Sequence, residues 1–191
     1  METDRYTRPV ENRAPICLYA SMPNRGLDAA LALWPRGRTR RGTLDHQRLA
    51  ALGLHQLRVG RSLEPDPRRR RPACGRPPPC ARPRSELIEI QQQAALTLYP
   101  CRFPEMFCLS AAESAAAGTP VITSPVDALV GRVRHGSTGL LVDGDIDHPG
   151  AQAAFADATV NLLKNPTRRE TMAVEARAGT ARLAPDTVAA A

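Results

Sequence analysis

Two carboxylates, Glu105 and Glu113, stand with seven residues between them in the stretch YPCRFPEMFCLSAAESAAAGTPVIT, which runs from Tyr99 to Thr123. The helix expected to open near Leu109 would turn the backbone N–H groups of Phe107, Cys108 and Leu109 out of its N-terminus. Such an end favours anions, phosphate above all. Carboxylates repel a phosphate but accept hydrogen bonds from hydroxyls. The combination therefore points to a ligand with both phosphate and polyol parts, such as a nucleotide sugar. The plain alternative is that Glu105 is a solvated loop acid and Glu113 an exposed helix acid, and spacing alone leaves both readings open.

The elements that must position the pair are legible around it. The apolar run from Ala94 to Tyr99 has the length of a buried strand. A small-residue helix follows from about Leu109 to Ala117. Gly118 can close it in the left-handed conformation, and Pro120 cannot continue it. Val121-Ile122-Thr123 is the next strand. This strand–loop–helix–strand unit is the module of parallel α/β sheets, and it places Glu105 at the carboxyl end of a strand, where ligands of open α/β sheets bind. Glu113 lies about one turn into the helix and is expected to face the same crevice. Upstream, residues 16–20 suit an opening strand and 27–34 the helix after it, while Ser85 is placed to cap a helix ending at Gln93. Downstream, Asp147 and Pro149 open a helix whose Ala151, Phe155, Ala158 and Leu162 keep helical spacing and which stops at Lys164-Asn165-Pro166. Thr167 and Glu170 form a capping-box pattern for a last helix to about Ala178.

The same segment resembles the donor-binding motif of retaining, metal-independent glycosyltransferases of the GT-B fold (the glycosyl transferases group 1 type): a Glu, seven residues, and another Glu. The flanks agree, with Tyr99-Pro100 before the loop, Pro104-Glu105 and Phe107 at the first Glu, and AAGTPVI after the second. Residues 136–142 are similar to the family's G-x-T-G-L-L-V. Tyr19-Ala20-Ser21 and Asn24-Arg25-Gly26-Leu27 resemble its S-x-P-x-R-G-L turn. The resemblance covers roughly residues 12–36 and 84–178. It implies a Rossmann-like, doubly wound parallel sheet, one half of a GT-B fold. It also implies that Glu105 contacts hydroxyls of the transferred sugar as the catalytic-site acid and that Glu113 holds the ribose. Arg25 would neutralise the diphosphate in the turn formed by Ser21 and Gly26. Met22 stands where the family usually has a second basic residue, and Asp127 and Gly131 depart from its Gly-rich turn, so no role is carried onto that loop. The implied donor is a nucleotide diphosphate sugar, with no metal and no other cofactor. The acceptor is open between a glycan, a lipid and a small molecule. A cytoplasmic location follows, and the family's work at the inner membrane face leaves peripheral association open. The matching text all belongs to the donor-binding domain, so the chain alone is expected to lack transfer activity without an acceptor domain.

Charge divides the chain. The total is +7, yet residues 36–84 carry 14 Arg against Asp45, Glu64 and Asp66, or +11, which leaves −4 elsewhere. Arg68–Arg71 are consecutive, and seven prolines fall between Pro65 and Pro83. Strands and helices do not tolerate that density, although a doubly wound domain would place its second strand, second helix and third strand there. Three readings compete: a disordered insertion, a basic tether for RNA or acidic lipid, and a shifted reading frame. With 25 Arg and only Lys164 as lysine, the composition has the habit of a GC-rich gene, and the frameshift is preferred. The resulting division is an N-terminal extension (1–14), a first strand–helix unit (15–36), the irregular segment (37–84), the remainder of the domain (85–178) and a disordered tail (179–191).

Other chemistries find little support. There is no G-x-G-x-x-G and no P-loop lysine. Five cysteines without a secretory signal fit a reducing cytosol, and Cys74 and Cys80 lack paired histidines for zinc. His46, His55, His135 and His148 are scattered and read as surface residues. No apolar run could span a bilayer. Beside donor-domain function stand two alternatives: a non-catalytic remnant of a glycosyltransferase, and a basic module for RNA or an anionic surface, with nucleic acid disfavoured because the charge is confined to one block.

Overall fold

The central strand, β3 (Ala94–Tyr99), is buried along its whole length. That is why its sequence is continuously apolar apart from Thr97: a parallel strand covered on both faces has no solvent side to alternate toward. Leu96 and Leu98 pack with Phe155 and Ile122. Thr97 points the other way, its hydroxyl 2.8 Å from that of Ser114. The computed structural model describes residues 3–6, 13–21, 25–33, 49–51 and 84–180.

Five strands form one parallel sheet in the order β2-β1-β3-β4-β5, with β1 at Ala14–Tyr19, β2 at Leu49–Ala51, β4 at Val121–Thr123 and β5 at Gly139–Leu141. The register pairs Leu18 with Thr97 and Thr97 in turn with Val121. Among the described residues six α-helices accompany the sheet: α1 (Leu27–Leu33), α2 (Arg84–Gln93), α3 (Leu109–Ala116), α4 (Ala128–Arg132), α5 (Pro149–Leu163) and α6 (Pro166–Thr180). This is the α/β, Rossmann-like parallel architecture expected from the sequence. The chain leaves β1 toward β2 on one side and returns through β3 to build the other. The carboxyl ends of β1 and β3 therefore flank a topological switch point, where adjacent loops diverge and open a crevice.

Gly118 closes α3 at φ +67°, as its position after the small-residue helix requires. Strand β1 runs Ala14–Tyr19 instead of 16–20, reaching into the expected extension, and four helix boundaries also differ from expectation. Helix α2 begins at Arg84, one residue before Ser85. The cap of α5 is His148, whose Nδ1 accepts from the Gly150 N–H at 3.2 Å; the Asp147 carboxylate is drawn instead to Arg102, 2.7 Å away. Asn165 caps α6 by accepting from the Arg168 N–H at 3.0 Å, so Thr167 falls inside the helix and Pro166 takes its first position. Helix α6 continues to Thr180, two residues into the expected tail.

The segment 37–84 also needs correction. It contributes β2, which pairs with β1 in parallel. Leu49-Ala50-Ala51 lies ahead of the proline run that starts at Pro65, so nothing local forbids a strand there. The rest of that block up to residue 83, with Cys74, Cys80, the frameshift reading and Met22, lies outside the described residues, as do residues 181–191. No described helix is long and apolar enough to cross a membrane.

Candidate functional site

The loop after β1 and the loop after β3 meet at the switch point. Gly26, at the start of α1, has φ +127°, and a Cβ there would sit 2.0 Å from the carbonyl oxygen of Pro100. Only a residue without a side chain lets the β1–α1 turn approach the end of β3 so closely. That approach carries Arg25 onto Glu105: its Nη1 donates to Oε1 at 2.6 Å. The Tyr99 hydroxyl, at the last residue of β3, donates to the same oxygen. Ser21 in turn donates to the Tyr99 oxygen at 3.4 Å. The Ala128 N–H holds the Glu105 backbone carbonyl at 3.0 Å, so the turn after β4 steadies the loop as well.

Ser21, Arg25, Gly26 and Glu105 are thus brought together as the sequence implied. Glu105 is not a solvated loop acid, since its side chain is only 13% exposed. Its charge raises the pKa of Arg25 further above an already high value. Burial, with the bond to Glu105 next, pushes Tyr99 well above the usual phenol range, so Tyr99 remains a donor at neutral pH.

Cys108 caps α3 in the left-handed region, at φ 57° and ψ 74°. A non-glycine residue there costs about 1 kcal/mol. The first helical bond of α3 runs from the Ala112 N–H to the Cys108 carbonyl. The amides of Cys108, Leu109, Ser110 and Ala111 therefore precede the ladder and give this end its affinity for negative charge. Phe107 lies one residue outside that set, and its ring packs under the Arg132 guanidinium at 4.1 Å. Ser110 takes the place expected for it. The Cys108 thiol is buried, which raises its pKa and keeps it in the neutral form.

Glu113 occupies a different environment. It is buried on α3 against α2, where Arg84 donates to Oε1 at 2.7 Å and Gln91 to Oε2 at 3.4 Å. Tyr6 donates to the Gln91 side-chain oxygen at 3.1 Å, extending this network to the N-terminal turn. Glu113 is therefore no exposed helix acid, and among the described residues it shares no hydrogen-bond partner with Glu105. Sequence reasoning missed Tyr99, Arg84 and Gln91 as partners. The signal for Tyr99 was available, because a phenol ending a buried apolar strand must find a partner for its hydroxyl. Arg84 was hidden as the last arginine of the Arg/Pro-rich block. Among the described residues, no three His, Cys, Asp or Glu side chains gather as metal ligands.

Fold and crevice together define the C-terminal type of domain of a GT-B glycosyltransferase. Residues 80–179, about half of the chain, match the family model for glycosyl transferases group 1, and the chain belongs to that family. It is 42% identical over 95 residues to D-inositol 3-phosphate glycosyltransferase of Corynebacterium glutamicum, covering 50% of this chain and 21% of that protein. With the same enzyme of Thermobifida fusca it shares 38% over 95 residues, 50% and 20% of the two chains. The chain thus spans about a fifth of the length of these relatives. Among solved structures, the pneumococcal O-GlcNAc transferase GtfA in complex with UDP and GlcNAc superposes with TM-score 0.68 over 96% of this chain and 35% of that one, at 14% identity. Anabaena HepE in complex with UDP gives TM-score 0.63 over 99% and 52%, at 15% identity.

Proposed function

We propose that the switch-point crevice binds a nucleotide diphosphate sugar as the donor wall of a retaining, metal-independent glycosyl-transfer site. Glu105 accepts hydroxyls of the sugar to be transferred, and Glu113 accepts the ribose hydroxyls. Arg25, beside Ser21 and Gly26, neutralises the diphosphate together with the amides at the start of α3, those of Cys108, Leu109 and Ser110. The observation that carries this reading is the meeting of Arg25 and Glu105 between the carboxyl ends of β1 and β3. It puts a cation for phosphate and a carboxylate for polyol side by side, next to a helix N-terminus. The UDP complexes of GtfA and HepE support it at the level of shared fold.

The described residues build one wall of a cleft. Donor binding is the function proposed for them, and transfer to a glycan, lipid or small-molecule acceptor is proposed for an assembly that also presents an acceptor wall, on the cytoplasmic side of the membrane. A donor held on one wall lacks the positioning that supplies much of such a rate enhancement.

Calorimetric titration with UDP-, GDP- and ADP-glucose tests the reading. A saturable heat with one of them, weakened about tenfold or more in Glu113→Ala, is expected, since that variant loses charge-assisted bonds of about 1.5–3 kcal/mol. Flat traces with all three sugars would remove the proposal.

A further inference from the structure

The side chain that sets the direction of Glu105 is Tyr99. Its ring is buried in an apolar cluster with Tyr19, Cys101, Cys108 and Ala111, the two tyrosine rings 6.2 Å apart and tilted by 52°. Anchored at the end of β3, it has little freedom to turn, and only its hydroxyl reaches the crevice. That hydroxyl accepts from Ser21 and donates to Glu105, so Ser21 directs the phenolic hydrogen toward the carboxylate. Tyr99 and Arg25 both bind Oε1, and among the described residues no group donates to Oε2.

We propose that Tyr99 is a positioning residue for the donor's sugar: it grips Glu105 by one oxygen and leaves the other turned to the sugar hydroxyls. This rests on the donor-site reading above and extends it. When a diphosphate draws Arg25 away, Tyr99 remains as the protein group holding Oε1. Its contribution is therefore greatest in the loaded site and specific to the sugar, not to the nucleotide.

The test uses the full chain with two probes, UDP and UDP-glucose, titrated by calorimetry into wild type, Tyr99→Phe, Glu105→Gln, Ser21→Ala and the Tyr99→Phe/Glu105→Gln double variant. Tyr99→Phe keeps the ring and removes only the hydroxyl. It is expected to weaken UDP-glucose about tenfold, the worth of one hydrogen bond to a charged group, while UDP stays within about twofold. Ser21→Ala gives a smaller loss of the same selective kind. The double variant loses no more than the larger single loss, because both substitutions break one contact. Should Tyr99→Phe fail to fold, the selective losses in Glu105→Gln and Ser21→Ala carry the test. Equal weakening of both probes would make Tyr99 merely structural and overturn the proposal, as would unchanged UDP-glucose binding. A wild type that binds neither probe would remove the donor-site reading itself, and this inference with it.

Discussion

Glu105 and Glu113 lie two helical turns apart in sequence, yet they are held by different kinds of structure. Glu105 is fastened by distant groups: Arg25 lies 80 positions away, and Tyr99, which it also meets, is tied to Ser21 at a separation of 78. Glu113 is fastened by its neighbour in the chain, helix α2, through Arg84 and Gln91 at separations of 29 and 22. Among the described residues one oxygen of Glu105 has no donor, whereas both oxygens of Glu113 are engaged. The difference teaches that the setting of Glu105 depends on docking of the N-terminal strand–helix unit, while that of Glu113 depends on packing of α2 against α3. Substitutions that loosen one end and spare the other measure how independent the two are.

The largest effect is expected at Gly26. An added methyl would stand 2.0 Å from the Pro100 carbonyl oxygen, at a φ of +127° that L side chains rarely adopt. Neither partner can yield, since the methyl is fixed on the Cα and the oxygen belongs to the backbone. Gly26→Ala should cost about 3–5 kcal/mol from strain and overpacking together, read as a fall in the midpoint of denaturant unfolding. In material that still folds, the Arg25–Glu105 contact should be lost while the α2–α3 network survives, which NMR shifts of the two carboxylates would report. Equal perturbation of Glu113 would break the comparison.

The opposite end is tested through Arg13. Its guanidinium donates to the carbonyls of Gln92, Ala94 and Ala117 and to the Thr119 hydroxyl, tying the C-terminal ends of α2 and α3 to the start of β3. Among the described residues no carboxylate lies within ion-pair distance of it. Burial, with nearby Arg177 adding repulsion, lowers its pKa to about 10, so it stays charged at neutral pH. A cation at two helix C-termini is favourable. Arg13→Met keeps the length and leaves buried acceptors short of donors, for a loss of about 2–3 kcal/mol, tempered because Arg177 also donates to the Ala117 carbonyl at 3.1 Å. Thermal melts measure it. A gain in stability would show that burying the guanidinium costs more than its bonds return.

The legible parts of this chain are those whose signals are local. Gly118 and Pro120 marked the end of α3, and the apolar run marked β3. Arg13, Tyr99 and Arg84 carry no such mark. Arg13 meets Gln92, Ala94, Ala117 and Thr119 across 79 to 106 positions, and no periodicity in the sequence encodes contacts at that range. Helix starts were misplaced by one or two residues for a related reason. Several nearby polar groups could cap, and tertiary partners decided among them: Arg102 claimed Asp147 and left His148 to cap α5. The left-handed turn at Cys108 was invisible because no glycine announces it.

The smallest effect concerns the surface tie between the two loops of the crevice and the rest of the domain. Arg102, just beyond β3, forms a bidentate pair with Asp28 of α1 at 2.8 and 2.9 Å and also meets Asp147 ahead of α5. The hydrogen bonds from Arg102 are the first cause that lowers the Asp28 pKa below its ordinary value. A carboxyl whose folded pKa is depressed stabilises the fold above its unfolded pKa, about 3.9, and that stability is lost as pH falls through the folded value. Both aspartates are largely exposed, so the contribution stays below about 1 kcal/mol and is further reduced by salt. Thermal melts of wild type and Asp28→Asn between about pH 6 and pH 2 should converge as the pH drops, because acid removes from the wild type what the substitution has already removed. Parallel curves would show that the pair is ornamental and that Gly26 packing alone docks α1 beside Glu105. Convergence would add a third, weak tie to the Glu105 side and none to the Glu113 side, where α2 makes the contacts.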